Sequence, residues 1–211
     1  MPTFKDNGLV LRETHAGESD KILTLLLMER GKVSVSARGA RKPKSKFAAA
    51  SQAFCFSEFV IFEGKGFLAL TQAEPVKFFH RLQGDFDMYC AAAFFAEMLD
   101  AMILPGMPAE PALRLMYRTL SLMVSGAVPP DLAAAVFQVK FFQLEGLAPE
   151  ETICTDKGAR DALNYILSSE INKSFDFRLS ERSLKELGAA VGEFRAANVD
   201  IVFKSLTLNQ Q

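Results

Sequence analysis

The chain has 211 residues, of which 49% are hydrophobic and 23% are charged, and its formal net charge is −1. This apolar content excludes a mainly disordered chain, because its burial can offset the entropy lost on ordering. Charges interrupt the apolar runs before the roughly 18–20 residues that a membrane-spanning helix needs. The first residues lack the apolar segment of a signal peptide, and three scattered cysteines imply no disulfide framework. We therefore expect a cytoplasmic protein with no membrane contact and with one large or two small domains.

The first 80 residues show the pattern of strands separated by short turns. Apolar-rich or alternating segments are bounded by turn residues, and no long helical pattern interrupts them. Gly31 and the Gly64–Gly66 segment are suited to tight turns. The predicted strands are residues 8–14, 21–28, 33–37, 54–63 and 67–71. Five strands in about 75 residues favour a small antiparallel barrel, with a compact sandwich as the alternative.

After residue 80 the apolar residues recur at spacings of three and four, which is typical of helices. We predict Asp131 as the N-cap of the third helix, Gly146 as its C-terminal end, and Ser180 or Ser183 as the cap of the fifth. The predicted helices are residues 85–104, 111–125, 131–145, 161–168 and 183–195. The sequence thus predicts an α+β multidomain protein, with a five-stranded barrel domain (1–80) followed by an all-helical domain (81–211).

The sequence contains no motif typical of an enzyme. It has only two histidines, His15 and His80, and neither belongs to a paired zinc-ligand motif. A phosphate-binding glycine loop and a Gly-x-Ser-x-Gly elbow are also lacking. Glu97 and Asp100 lie three residues apart on one helix, but such acid pairs are common on solvated faces. We therefore expect a binding protein without catalytic residues or a cofactor.

Positive charge is concentrated in one predicted loop between two strands, residues 38–46, which we call the basic loop. Residues 1–80 carry 12 Lys and Arg against 8 Asp and Glu, a net charge of +4, whereas the remainder has −5. The five cations of the loop are Arg38, Arg41, Lys42, Lys44 and Lys46. Local potential attracts an anionic polymer even where net charge is near zero, and oligonucleotide-binding barrels carry contact loops between strands. We predict that this loop binds nucleic acid, the alternative being a solvated charged loop.

Two further residue types shape this prediction. Gly39 allows the backbone to approach a phosphate, and Pro43 stiffens the loop. Phe47 and Phe54 flank the loop and are candidates for base stacking. Because alternating strands bury such residues, we expect both rings in the core.

The N-terminal half carries the sequences ESDKILT at residues 18–24, GK at 31–32 and ARGARKPKS at 37–45. These sequences resemble the N-terminal signature of the bacterial RecO recombination mediator family, and residues 137–149 and 204–205 extend the similarity. The resemblance implies an oligonucleotide-binding (OB-fold) barrel and a role in DNA repair and homologous recombination. It further implies binding of single- and double-stranded DNA, annealing of complementary strands and delivery of the recombinase onto coated strands. The implied partners are single-stranded DNA, RecR and the C-terminal tail of the single-stranded-DNA-binding protein.

One departure from the family concerns zinc. Many members follow the Gly-x-x-Pro ending of this helical segment with two Cys-x-x-Cys pairs that hold a zinc ion. Here Cys154 stands at the first cysteine, but Lys157 occupies the position three residues on, and no cysteine follows. One thiol cannot supply a four-ligand structural site. We therefore predict no metal, and we expect residues 150–180 to be held by packing alone.

An acidic, apolar-ended tail needs an apolar pocket with a cation at its rim. The predicted helices provide Arg114, Arg118 and Lys140 as candidates, although such cations also mark solvated helix faces.

Two other functions stay open. One is an RNA-binding barrel factor, since phosphate contacts do not separate RNA from DNA. The other is a protein–protein adaptor without a direct nucleic-acid role.

Overall fold

The structure, a computed structural model, describes residues 2–208 and begins with a closed five-stranded barrel. The strands are β1 (Thr3–Ala16), β2 (Asp20–Leu27), β3 (Gly31–Ala37), β4 (Phe56–Gly64) and β5 (Phe67–Lys77), in the order β1–β2–β3–β5–β4. Neighbouring strands are antiparallel, except that β3 and β5 meet at the parallel pair Ser36 and Ala69. The predicted barrel is confirmed, and the sandwich alternative is excluded.

The first strand, β1, is longer than its apolar pattern predicts, because it pairs with two neighbouring strands over different parts of its length. Its residues 3–9 pair with β4, whereas residues 8–16 pair with β2. Gly8 lies where both pairings meet, and a Cβ there would be 2.4 Å from the carbonyl oxygen of Leu26. The strand therefore extends beyond the apolar run at both ends, and only its middle section shows the apolar pattern.

Alternating strand residues and part of the loop after β3 fill the barrel interior. The core cluster consists of Val10, Leu23, Leu25, Leu27, Val35, Ala37, Ala40, Phe47, Phe59, Ile61 and Leu70. Phe47 is 4% exposed and Phe54 is 6% exposed. Both rings are thus core residues, as expected, and burial of a side chain of this size contributes roughly 1.5–3 kcal/mol.

The compact unit built on the barrel runs up to His80 and also includes Ala96–Leu113. Asp100, near the end of helix α1 (Phe86–Met102), accepts hydrogen bonds from the guanidinium of Arg12, with Nε and NH2 each 3.1 Å from Oδ2. The ammonium of Lys32 donates to the carbonyl oxygen of Asp100. Asp100 is therefore an ion-pairing residue and not, as expected, a solvated acid. The domain division at residue 80 stays a prediction, while this unit extends beyond it.

The segment after α1 lies against the start of β3. Gly106 donates its backbone N–H to the carbonyl of Lys32 at 3.4 Å, and Lys32 forms a parallel bridge with Pro105. The carbonyl of Met107 lies so close to Gly31 that a Cβ at Gly31 would be 1.9 Å from its oxygen. Glycine at position 31 is therefore required by this close approach as well as by its φ of +64°.

The second compact unit joins Arg81–Phe95 to the described residues from Arg114 onward. Besides α1, the chain forms α2 (Glu110–Ser125), α3 (Pro130–Leu144), α4 (Lys157–Ser168), α5 (Glu181–Asn198) and the short α6 (Ser205–Leu208). Stacked and tilted phenylalanine rings build the core of this unit, including Phe95 on Phe137 at 4.3 Å between centroids and Phe142 on Phe194 at 5.4 Å. Among the helices of residues 2–208, none combines the length and apolar character needed to cross a bilayer.

The helix caps agree with the sequence at two positions and differ at a third. Ser180 accepts a hydrogen bond from the N–H of Ser183 at 3.1 Å, so Ser180 is the cap of α5. Gly146, at φ +75°, follows the end of α3 as predicted. The predicted Asp131 cap is wrong, because Pro129 occupies the N-cap position and makes no side-chain bond. Pro130, at the first helical position, already has a helical φ and needs no N–H partner, which explains why the helix starts there.

Candidate nucleic-acid interface

Consecutive turns, and neither strand nor helix, connect β3 to β4 through residues 38–55. Short-range backbone bonds support these turns, such as Lys42 N to Gly39 O at 3.1 Å and Ser51 N to Phe47 O at 2.9 Å. The segment starts with the basic loop, whose five predicted cations are all exposed: Arg38, Arg41, Lys42, Lys44 and Lys46. Ala40 and Phe47 of the 38–55 segment are buried in the barrel core and attach the turns to it.

The β1–β2 turn and the first residue of β2 hold one side of the basic loop. Asp20 Oδ1 accepts the backbone N–H of Gly39 at 2.7 Å. The N–H of Arg41 donates to the carbonyl of Ser19 at 2.9 Å, and its guanidinium donates to the carbonyl of Gly17 at 3.1 Å. The backbone of residues 39–41 is therefore fixed to the sheet by side-chain and main-chain bonds together.

The other side of the basic loop reaches β5. Lys46 donates from Nζ to the carbonyl of Thr71 at 2.7 Å, and its ammonium lies 4.9 Å from the centroid of the Phe47 ring. Lys44 adopts a φ of +62°, which places a non-glycine residue in the left-handed region. The loop is thus held at both ends, and two of its exposed cations, Arg41 and Lys46, take part in holding it through bonds to barrel carbonyls.

An acid lies among these cations. The pKa of Asp20 is lowered, first because its carboxylate accepts the Gly39 N–H, and this effect outweighs the opposing desolvation. The hydroxyl of Ser19 and the positive charges of Arg38 and Lys42 lower it further. Asp20 lies in the ESDKILT segment of the family signature, but no local pattern indicates its role, because its partner Gly39 is 19 residues away.

The chemistry of this surface suits phosphates. Guanidinium and ammonium groups form charge-assisted bonds to phosphate oxygens, and the loop presents both kinds within nine residues. Phe47 and Phe54 are buried and therefore present no stacking face. The arrangement can neutralise the backbone of a nucleic acid without reading its bases.

The structure places the three predicted partner-binding cations in different environments. Arg114 is exposed, whereas Arg118 is half-buried and donates to the carbonyl of Asn172 at 3.3 Å. Lys140 is 6% exposed, and burial lowers the pKa of its ammonium. That ammonium donates to Gln143 Oε1 at 3.1 Å and to the carbonyl of Ser169, just after α4. Lys140 is therefore used inside the helical unit, and the roles of Arg114 and Arg118 stay predictions.

A pocket of about 500 Å³ in the helical unit was not predicted from the sequence. Its apolar wall includes Phe94 and Leu206, and Arg195 lies beside them. The guanidinium of Arg195 lies 5.2 Å from the Phe94 ring centroid and donates to Gln138 Oε1 at 2.7 Å. Asp87 and Asp131 also line the pocket. No local pattern could have revealed it, since its walls come from α1, α3, α5 and α6.

The residues around Cys154 do not fit a zinc site. Among residues 2–208, no three His, Cys, Asp or Glu side chains lie where they could share a metal ion. The pKa of the Cys154 thiol is raised, mainly by burial and then by the charge of Glu186, which favours the thiol over the metal-binding thiolate.

Hydrogen bonds hold this segment, so the prediction of packing alone is wrong. Glu186 Oε1 accepts the backbone N–H groups of Thr155 and Asp156 and, at 2.9 Å, the hydroxyl of Thr155. The guanidinium of Arg160 donates to the carbonyl of Cys154 at 3.1 Å and 3.0 Å. Backbone groups next to a helix start need such partners, and these two side chains supply them here.

Comparison with known proteins gives one family for both parts of the chain. Residues 1–79 match the family model described as Recombination protein O N terminal, and residues 83–171 match Recombination protein O C terminal. The DNA repair protein RecO of Acetivibrio thermocellus is 30% identical over 222 residues, which cover 89% of this chain and 88% of that protein.

Two further relatives carry the same name. The DNA repair protein RecO of Heliobacterium modesticaldum is 38% identical over 75% of this chain, and that of Desulforamulus reducens is 36% identical over 75%. These two alignments span 57% and 61% of the relatives' own lengths. With a closed five-stranded barrel, a helical region after it and matches to both family models, the chain belongs to the RecO family of DNA repair and recombination proteins.

Proposed function

We propose that the protein is a recombination mediator that binds single- and double-stranded DNA, anneals complementary strands and helps load the recombinase onto coated single strands. The observation that carries this proposal is the basic loop, with five exposed cations. The Gly39 N–H holds the loop to Asp20 at one end, and the Lys46 ammonium holds it to Thr71 at the other. Membership of the RecO family supports the same role. In this proposal the protein acts by binding and not by catalysis, and needs no cofactor.

Phosphate binding accounts for annealing in physical terms. Two DNA strands repel each other through their backbones, and cations that neutralise phosphates reduce this repulsion. Because the loop contacts backbones and Phe47 and Phe54 are buried, the bases stay available for pairing. A surface of this kind brings two strands together without holding the groups that must recognise each other.

An annealing assay tests the proposal. Complementary strands labelled with a fluorophore and a quencher are coated with single-stranded-DNA-binding protein and mixed with the protein. We expect faster quenching than without it, and little acceleration by the Arg38→Ala/Arg41→Ala/Lys44→Ala variant. Competition with RNA of the same sequence separates the RNA-binding alternative, which requires RNA to displace DNA. Absence of binding to either polymer at low salt would favour the adaptor alternative.

We also propose that the helical unit binds the tail of the single-stranded-DNA-binding protein, through the pocket beside Arg195. Its apolar wall of Phe94 and Leu206 suits an apolar chain end, and the half-buried guanidinium suits the terminal carboxylate. Asp87 and Asp131 repel carboxylates, so in this proposal only the chain end enters the pocket and the acidic residues of the tail lie outside it. RecR is proposed as a further partner from family membership alone, without an assigned surface.

Arg195→Ala is expected to weaken binding of the tail peptide roughly ten- to a hundredfold, since a charge-assisted hydrogen bond contributes roughly 1.5–3 kcal/mol. Titration of the labelled peptide by fluorescence anisotropy measures this change. Arg182→Ala is the matched control, because Arg182 is also on α5 and its side chain is 87% exposed. Equal affinity of both variants and the parent would exclude the pocket, and Arg114→Ala and Arg118→Ala in the same titration would then test the remaining candidates. Melting curves verify that each variant is folded.

A further inference from the structure

We propose that Asp20 is a positioning residue for DNA binding, which holds the basic loop in its binding conformation through the hydrogen bond to the Gly39 N–H. This inference rests on the proposed function of the loop. In this role a negatively charged side chain favours the binding of a polyanion, whereas its charge alone would weaken that binding.

The sheet fixes the position of Asp20. It is the first residue of β2, and its backbone is paired with Ala16 of β1. Its Oδ1 accepts from the Gly39 N–H at 2.7 Å and from the Ser19 hydroxyl at 3.2 Å. Ser19 in turn accepts the N–H of Arg41 through its carbonyl at 2.9 Å. Ser19 of the β1–β2 turn and Asp20 at the start of β2 thus bind the loop backbone at two positions, Arg41 and Gly39.

Gly39 is the point at which the loop most needs an external constraint. Its φ is +69°, and glycine has more conformational freedom than any other residue. Arg38 precedes it and Lys42 follows three residues later, so the direction of both side chains depends on the backbone at Gly39. A loop that is fixed before DNA arrives loses less entropy on binding than one that must be ordered by the ligand.

Asp20 also affects the same cations directly. Arg38 and Lys42 lie near enough that their charges lower the pKa of its carboxyl. A carboxylate in this position reduces the positive potential that attracts phosphates. If this effect were its only one, any uncharged replacement would strengthen DNA binding. If positioning dominates, the outcome depends on whether the replacement keeps an acceptor for the Gly39 N–H.

The test compares Asp20→Asn with Asp20→Ala. Asparagine keeps an Oδ1 acceptor and loses the charge, whereas alanine loses both. Affinity for labelled oligothymidine is measured by anisotropy at several salt concentrations, and amide hydrogen exchange is measured at Gly39 and Arg41. We expect Asp20→Ala to bind about three- to tenfold more weakly, with faster exchange at both amides. We expect Asp20→Asn to keep slow exchange and to bind at least as tightly as the parent.

Tighter binding by both variants, or an unchanged affinity for Asp20→Ala, would overturn the inference. Faster exchange at Gly39 together with unchanged DNA affinity would overturn it equally, because the loop would then not need its fixed conformation. Failure of the proposed function has a different signature, since Arg38→Ala/Arg41→Ala/Lys44→Ala would then bind DNA as the parent does. That result would remove the loop from DNA binding and the role of Asp20 with it.

Discussion

Replacing Arg38, Arg41 and Lys44 together with alanine is expected to weaken binding of single-stranded DNA and to flatten its dependence on salt. Each phosphate neutralised on a single strand contributes roughly 0.7 to the slope of log affinity against log salt. If each of the three cations contacts one phosphate, the slope decreases by about 2. The measurement is anisotropy of a labelled oligothymidine at four or more salt concentrations. Base composition should change the result little, because phosphate contacts carry no sequence information.

The matched control removes the same charge from the opposite end of the barrel. Lys5 lies near the beginning of β1, Arg30 lies in the β2–β3 turn and Lys65 lies in the β4–β5 turn. Lys5→Ala/Arg30→Ala/Lys65→Ala changes the net charge equally, so a general electrostatic effect would flatten the slope in both variants. We expect the control to keep most of the parent slope. Folding should survive in the loop variant, since the three side chains are exposed and the bonds from the backbone N–H groups of Gly39 and Arg41 remain, although the Arg41 guanidinium bond to Gly17 is lost. Equal slopes in the two triple variants would mean that the loop is not the DNA site.

The barrel could be predicted from the sequence because its signals are local. Alternation in residues 33–37 and the turn glycines Gly31 and Gly66 lie within a few residues of the strands they define. The five cations of the basic loop were visible for the same reason, since charge is a property of composition. The hydrogen bond from Gly39 to Asp20, which holds the loop, could not be predicted from the sequence, because it depends on how β1, β2 and β3 pair.

The parts that could not be predicted depend on long-range contacts. Asp100 resembles a solvated helix acid until it is seen beside Arg12, 88 residues earlier, and Lys32, 68 residues earlier. Lys140 lies in the mostly apolar and buried stretch 132–142 of α3, but only the tertiary structure shows that its ammonium meets the end of α4. Likewise, the sequence of α5 does not indicate that Arg195 lines a pocket, because the other walls of that pocket come from α1 and α3. In each case the local pattern shows the charge, and tertiary packing decides what that charge does.

Gly31→Ala is expected to destabilise the barrel unit more than any other single change considered above. The residue adopts φ +64°, a conformation that costs an alanine roughly 1–2 kcal/mol. In addition, the new Cβ would lie 1.9 Å from the carbonyl oxygen of Met107, and a backbone oxygen cannot move aside by rotating a side chain. The segment that carries Met107 must therefore shift away from β3. We expect a total loss of about 3–4 kcal/mol in the free energy of unfolding.

Chemical denaturation measures this loss, and Gly66→Ala separates its two causes. Gly66 also has a positive φ, +78°, but a Cβ there would meet no atom within 4 Å. Its replacement should therefore cost only the backbone strain, roughly 1–2 kcal/mol. The excess cost at Gly31 measures the contact with the segment after α1. Faster amide exchange at Gly106, whose N–H donates to Lys32, should accompany it in Gly31→Ala and not in Gly66→Ala. Equal losses in the two variants would show that the approach of Met107 to β3 contributes nothing to the stability of the barrel unit.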